Sequence, residues 1–431
     1  MKKLLYAVVI AQLLFLWQYH GAPFGGFLAF SEAYYAIQSA DMETTGVWNP
    51  VVPYVGRIDF NVPPLYAATN YLLHGRAQTP ANVRLLPILL NVANILLVYL
   101  VVRELTHDET AGVVGGVMYA SVPITNILAV TSIPETMLVT WLLLAFYLHL
   151  RDMPLLSMAA VSLGIMTKQP AAIFAVVLLV NALLDCVPLR RVMAMAAVAF
   201  SLPVAYIGTH VIVGNGDMLA YHLLERASLD RIPGVMQSAV MFEEVTHATV
   251  AVLLLFILSI PIRDMRFSVA GQAMVAYALF FVFYHHHSYY MFPAIVFGII
   301  MSGHAFRKPY LWVYTACIMM TVPFTLSTVD SNRGYDPGFQ SLTCRDYVAG
   351  DDFVAYWWPV FKYHCPEHDV YTCDELVGRD VDAAVMFEEC DGNPHWMRAS
   401  VEECKITTHG GFSCPIDGDA PTFRWSQLVA Q

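Results

Sequence analysis

Residues 136–184 run TMLVTWLLLAFYLHL-RD-MPLLSMAAVSLGIMT-K-QPAAIFAVVLLVNALL, three apolar stretches interrupted only by Arg151-Asp152 and by Lys168. A soluble domain carries about a quarter charged residues, and three charges cannot build a wet surface for a segment of this length. Each stretch makes a helix of ~22 Å at 1.5 Å per residue, against a ~30 Å hydrocarbon core. The turn at Lys168 is therefore expected to sit recessed below one face of a bilayer, where a lysine calls for an anionic partner. A lipid phosphate is available at that depth; a lysine snorkelling to the interface is the bland alternative.

The chain up to about residue 328 is of the same material. Over 431 residues, 57% are hydrophobic and 13% charged, and the mean hydropathy is +0.54. This composition excludes a soluble cytosolic enzyme and a disordered chain, and the net charge of −11 excludes a nucleic-acid binder. Stretches free of formal charge fall at 4–19, 85–102, 110–130, 136–150, 153–167, 169–184, 192–213, 248–262, 267–284, 291–306 and 309–328. The fold class expected is an all-α polytopic membrane protein of about eleven transmembrane helices. It has a structured first outer loop and a small disulfide-rich extracytoplasmic C-terminal domain. Residues 1–328 form the membrane domain and 329–431 the second domain.

Orientation follows from the basic residues of the short connections. Lys2, Lys3, Arg103, Arg151, Arg190, Arg191, Arg263, Arg266, Arg307 and Lys308 all fall on one side if the N-terminus is cytoplasmic, and the short connections opposite hold only Lys168. The chain is thus expected in the cell membrane as a multi-pass protein, with segments 20–84 and 214–247 and the C-terminal domain outside. His20-Gly21-Ala22-Pro23 makes a poor cleavage site, so the first apolar stretch reads as a retained helix. From residue 329 onward there are 18 acidic and 7 basic residues, with Cys344, Cys365, Cys373, Cys390, Cys404 and Cys414. No C-x-x-C occurs among them; an extracytoplasmic setting favours up to three disulfides, with reduced thiols the alternative.

The helix interiors are nearly free of charge, which argues against an ion-coupled transporter. The polar residues gather instead on the predicted outer face. Residues 31–42 fit an interfacial helix with Ala33, Ala36, Ile37 and Ala40 on one side, and Glu32 near its start. Taken alone, Glu32 suits a helix first turn behind a Ser31 N-cap; held at the membrane surface shortly after a transmembrane helix, it also has the position a general base for a lipid-linked substrate needs. Glu135 with Ser132 three residues before it fits a capping box, or an acid of the same site. His285, His286 and His287, beside Tyr289 and Tyr290, could hold a divalent metal ion or donate to a phosphate; an aromatic and polar interface belt is the alternative.

Five motifs in order give the chain a resemblance to the GT-C glycosyltransferases, closest to the protein O-mannosyltransferase and aminoarabinose transferase branch. Ser31-Glu32-Ala33-Tyr34-Tyr35-Ala36 with Gly46-Val47-Trp48 resembles the family's Asp-Glu-x-x-Tyr-Ala helix and following Gly-x-Trp. Asn61-Val62-Pro63-Pro64-Leu65 resembles its Lys-Pro-Pro-Leu segment, and Glu135 falls where the family has an acid opening the fourth helix. Residues 163–170, LGIMTKQP, resemble its Gly-x-x-x-Thr-Lys-Gly-Pro turn. His287-Ser288-Tyr289-Tyr290-Met291-Phe292-Pro293 resembles its His-x-Tyr-Tyr-x-x-Pro turn. Ser31 stands where the family has the first acid of its pair, and Val62 where it has a lysine.

The resemblance implies a hexosyl- or pentosyltransferase. It would move a sugar from a polyprenyl-phosphate-linked donor to a lipid, glycan or protein acceptor on the extracytoplasmic face, with inversion. Glu32, Glu135 and Asp59 are the candidate catalytic acids. Lys168, Arg57, His287 and Tyr290 are candidates for the donor phosphate, and His285 and His286 for a divalent metal. Partners are membrane lipids, the polyprenyl-phosphate sugar and the acceptor, and no nucleic acid. The alternatives are an oligosaccharyltransferase or polymer ligase, which Trp357-Trp358-Pro359 only faintly supports, and a non-catalytic relative acting as carrier or assembly subunit, which Ser31 favours.

Overall fold

Within hydrocarbon every backbone N–H and C=O must find its partner inside the segment, so apolar runs fold as helices. In the computed structural model of the chain, the described residues are 2–21, 29–50, 63–215, 265–284 and 288–302, with four two-residue strand segments beyond them. Twelve α-helices are described: α1 Lys2–Trp17, α2 Ala29–Thr45, α3 Leu65–His74, α4 Pro80–Thr106, α5 Glu109–Ser121, α6 Pro123–Ala129, α7 Glu135–Leu150, α8 Pro154–Thr167, α9 Ala171–Leu184, α10 Leu189–Ile212, α11 Met265–Tyr284 and α12 Phe292–Ser302. A 3₁₀ turn, Ser288–Met291, leads into α12. Among the described residues, α4 and α10 are long and apolar enough to cross a membrane, and six shorter apolar helices accompany them.

The core lies between α4, α5, α7, α8, α9 and α12. Helix α7 is buried along most of its length, and the rings of Phe146, Phe174 and Phe297 meet at its inner side with centroids 5.0–6.1 Å apart. By contrast α10 turns Leu189, Met193, Val204 and Val211 outward, an apolar exterior that suits lipid. The α4–α5 crossing is close because α5 presents small residues. A Cβ on Gly112 would stand 2.8 Å from the Tyr99 carbonyl oxygen, and one on Gly116 3.1 Å from that of Ile95.

Three expectations need correction. The stretch 110–130 is two helices, parted at Val122, whose backbone is extended (φ −72°, ψ 128°) because Pro123 excludes the helical conformation from the residue before it. The carbonyls released by the break are taken by buried side chains. Thr125 donates to Tyr119 O (2.8 Å) and Asn126 to Ala120 O (2.9 Å), and Gln12 of α1 donates to the Asn126 side chain. Second, Ser31 does not cap a helix that starts behind it: α2 begins at Ala29. Its inner face is Glu32, Ala33, Ala36, Gln38 and Ser39, so the helix packs inside protein with polar groups buried, while Ile37 and Ala40 are only half-buried. Third, no capping box forms at α7. Its N-cap is Pro134 without a side-chain bond, and both Ser132 and Glu135 are engaged elsewhere.

Helix α3, within the outer segment 20–84, follows no expected run; the other helices follow the expected runs closely, α4 starting five residues earlier than its apolar stretch. The turns after α4, α7 and α9, all on the side predicted to be cytoplasmic, hold His107, Asp152 and Cys186 in the left-handed region at φ 53–56°. Stretches 248–262 and 309–328 and the six tail cysteines lie outside the described residues; Cys186 is a free, exposed thiol. In the tail Phe353–Val354 pairs in parallel with Val370–Tyr371, and Lys405–Ile406 antiparallel with Phe412–Ser413.

Candidate functional site

Two buried ion pairs stand at one end of the helices, gathered from separate stretches of sequence. In the first, Glu32 of α2 meets Arg84, which lies in the opening turns of α4. Arg84 Nε donates to Glu32 Oε1 at 2.8 Å and Nη2 to Oε2 at 2.7 Å, a two-pronged arrangement between side chains only 2% and 5% exposed. Nη1 of Arg84 also reaches the Tyr19 carbonyl beyond α1, at 3.3 Å. Glu32 Oε1 further accepts the backbone N–H of Ser132 at 2.8 Å. Both oxygens of Glu32 are thus engaged by protein donors.

In the second pair, Lys168 Nζ donates to Glu135 Oε1, with both side chains almost wholly buried. Lys168 ends α8 in extended backbone, and its N–H still bonds to Gly164 O (2.8 Å). The glycine of this turn has a packing reason, since a Cβ there would stand 3.1 Å from Ala171 Cβ and 3.3 Å from Trp141 Cβ. From α11, Tyr277 donates to the Pro170 carbonyl (3.1 Å) and steadies the hairpin. Tyr290 places its ring with the centroid 4.1 Å from Lys168 Nζ, a cation–π contact. Glu135 Oε2 has no hydrogen-bond partner among the described residues.

Tyr66 of α3 stands between the two pairs. It is fully buried, its hydroxyl shares a hydrogen bond of 3.0 Å with Ser132 Oγ, and its ring lies edge-on to Tyr35 at 5.5 Å. Burial pushes its hydroxyl well above the ordinary phenol range, and the negative charges of Glu32 and Glu135 add to the shift. The phenol therefore stays protonated.

Of the residues expected at the site, Glu32, Glu135, Lys168 and Tyr290 are described. Lys168 is in reach of both Glu135 and Tyr290, and Glu32 bonds to Ser132, three residues before Glu135. Arg57, Asp59, His285, His286 and His287 lie outside the described residues. No group of three His, Cys, Asp or Glu suited to a metal ion occurs among the described residues. Sequence reasoning missed Arg84, Ser132 and Tyr66. For Arg84 a signal existed: it is a charge directly abutting the apolar run 85–102.

A helical membrane domain with polar side chains collected at one end is the architecture that the GT-C resemblance implies, and the comparisons agree with it. Residues 62–208 match the family model described as dolichyl-phosphate-mannose-protein mannosyltransferase. The fold is shared with ArnT from Cupriavidus metallidurans. The apo crystal structure of that protein superposes with a TM-score of 0.62 at 15% identity, covering 85% of each chain. Its complex with undecaprenyl phosphate gives 0.64 at 14% identity, again over 85% of each chain. No curated protein sequence matches the chain.

Proposed function

We propose that the chain is a membrane glycosyltransferase of the GT-C type. It takes a sugar from a polyprenyl-phosphate-linked donor and gives it, with inversion, to an acceptor hydroxyl or amine on the extracytoplasmic face. The observation that carries this reading is the buried Lys168, held by Glu135 and Tyr290 at the tip of the α8–α9 hairpin. The fold shared with a protein that binds undecaprenyl phosphate supports it.

In this reading the lipid tail lies among the helices and the phosphate meets Lys168, with Tyr290 beside it. The acceptor oxygen or nitrogen attacks the anomeric carbon from the side opposite the phosphate. Its bond to carbon forms as the carbon–oxygen bond to phosphate breaks, and the departing phosphate gains a negative charge that the Lys168 ammonium balances. The acceptor proton goes to a carboxylate. Ser31 cannot take it at neutral pH, and Glu32 is occupied by Arg84 and Ser132, so among the described acids we assign that proton to Glu135 Oε2, which no described donor holds, with Asp59 the other candidate. Glu32 orients rather than abstracts. Arg57 and His287 are further candidates for the donor phosphate, Asp59 for a catalytic acid, and His285 and His286 are the residues that would hold a divalent ion.

The test is transfer from labelled undecaprenyl-phosphate sugar in membranes containing the full chain. Glu135→Gln should lower the rate about 10²- to 10⁴-fold, the usual worth of a general base. Undiminished transfer by that variant removes Glu135 from the base role, and no transfer by the unaltered chain to lipid, glycan or protein acceptors rejects the reading.

A further inference from the structure

Ser132 is held from two sides. Its N–H bonds to Glu32 of α2 and its hydroxyl to Tyr66 of α3, so both helices of the first long connection close on one residue. Ser132 is itself fully buried, as is the Tyr66 side chain. Only Ile133 and Pro134 separate Ser132 from Glu135. That short piece is stiff: Ile133 is buried and bonds back to Thr131 O (2.9 Å), Pro134 has its φ fixed by its ring, and Leu138 N–H bonds to Pro134 O (2.8 Å). A displacement of Ser132 is therefore passed on to Glu135 instead of being absorbed, and Glu135 holds Lys168.

We propose that Tyr66 and Ser132 form a positioning pair, whose hydroxyl–hydroxyl bond sets the place from which Glu135 aims Lys168 at the phosphate-bearing substrate. The inference rests on the function proposed above and adds two residues to it. Neither touches the reacting atoms. Their work is to register α2 and α3 against the start of α7, so that the two ion pairs keep a fixed spacing. Tyr66→Phe is a suitable probe because it keeps the ring against Tyr35 and deletes only the hydroxyl.

The experiment uses the full chain in lipid nanodiscs with labelled undecaprenyl-phosphate sugar, measuring kcat, donor KM and the thermal unfolding midpoint. The variants are Tyr66→Phe, Ser132→Ala, the double variant and Ser132→Thr. Each single deletion should lower kcat roughly 10- to 100-fold, the scale of a misplacement near 1 Å, with donor KM little changed. The double variant should fall no further than the worse single, and Ser132→Thr, which keeps a hydroxyl, should recover most of the rate. Single effects that multiply in the double, a kcat that holds while only the unfolding midpoint drops, or failure of Ser132→Thr to rescue would each overturn the positioning role alone. A wild-type chain that transfers no sugar rejects the transferase reading, and the inference with it.

Discussion

Replacing Arg84 by Met tests whether the first ion pair holds the site together. The substitution keeps an unbranched side chain in α4 and removes a guanidinium that donates twice to Glu32 and once to the Tyr19 carbonyl. Glu32 is then a buried carboxylate with the Ser132 N–H as its one remaining donor among the described residues. Breaking a buried pair by deleting one partner costs about 3–5 kcal/mol, and the 3.3 Å bond to Tyr19 adds little. At 1.4 kcal/mol per decade this lowers the folded-to-unfolded ratio by about 10²- to 4 × 10³-fold. Glu32→Gln alone strands Arg84 and should cost as much. The double variant Glu32→Gln/Arg84→Met leaves no stranded charge and keeps a carbonyl for Ser132 N–H, so it should be more stable than either single. Unfolding of the purified chain in detergent, followed by tryptophan fluorescence, measures all three. An Arg84→Met protein as stable as the wild type, or a double variant no better than the worse single, would falsify the assignment of Arg84 as the counter-charge of Glu32.

Other outcomes follow from particular contacts. Lys168→Ala should weaken binding of undecaprenyl phosphate by about 1.5–3 kcal/mol, the worth of a hydrogen bond to a charged group; titration calorimetry giving the wild-type affinity would count against a phosphate at the hairpin tip. Gly112→Ala should destabilise by about 1–3 kcal/mol, because its Cβ would press on the Tyr99 carbonyl, whereas Gly208→Ala, with nothing within 4 Å, should be neutral or slightly stabilising. Equal unfolding curves for the two alanine variants would contradict the close α4–α5 crossing. A membrane-impermeant maleimide should modify the exposed Cys186 only after cells are opened, read by mass spectrometry of its peptide; labelling of intact cells would invert the topology.

Much of the helical order was legible because hydrocarbon leaves the backbone few choices, so charge-free runs translate into helices nearly end for end. Glu135, Lys168 and Tyr290 were each legible through the motifs around them, but that Lys168 meets the other two follows from packing. The break at Val122 was visible only as a proline inside an apolar run, and hydropathy does not register it. Arg84 was lost at the edge of a stretch drawn to exclude charge, since such a reading treats every arginine as a boundary. The bond between Tyr66 and Ser132 left no trace, Ser132 reading only as half of a capping box, for a more basic reason: a hydroxyl pair joining residues 66 positions apart follows from tertiary packing and has no local signature. The role of Glu32 turns on the same limit, because its partner lies 52 residues away.

The helix break also bears on the order in which the chain comes together. Hydropathy offers 110–130 to the insertion machinery as one segment, yet the folded chain leaves that helix at Ser121. Polar groups that would be bare in lipid are satisfied by Thr125 and Asn126, only a few positions later, and by Gln12, which emerges from the ribosome long before them. Everything needed to close this corner has therefore been synthesised by the time Asn126 appears, and it can set without waiting for the distant half of the polypeptide.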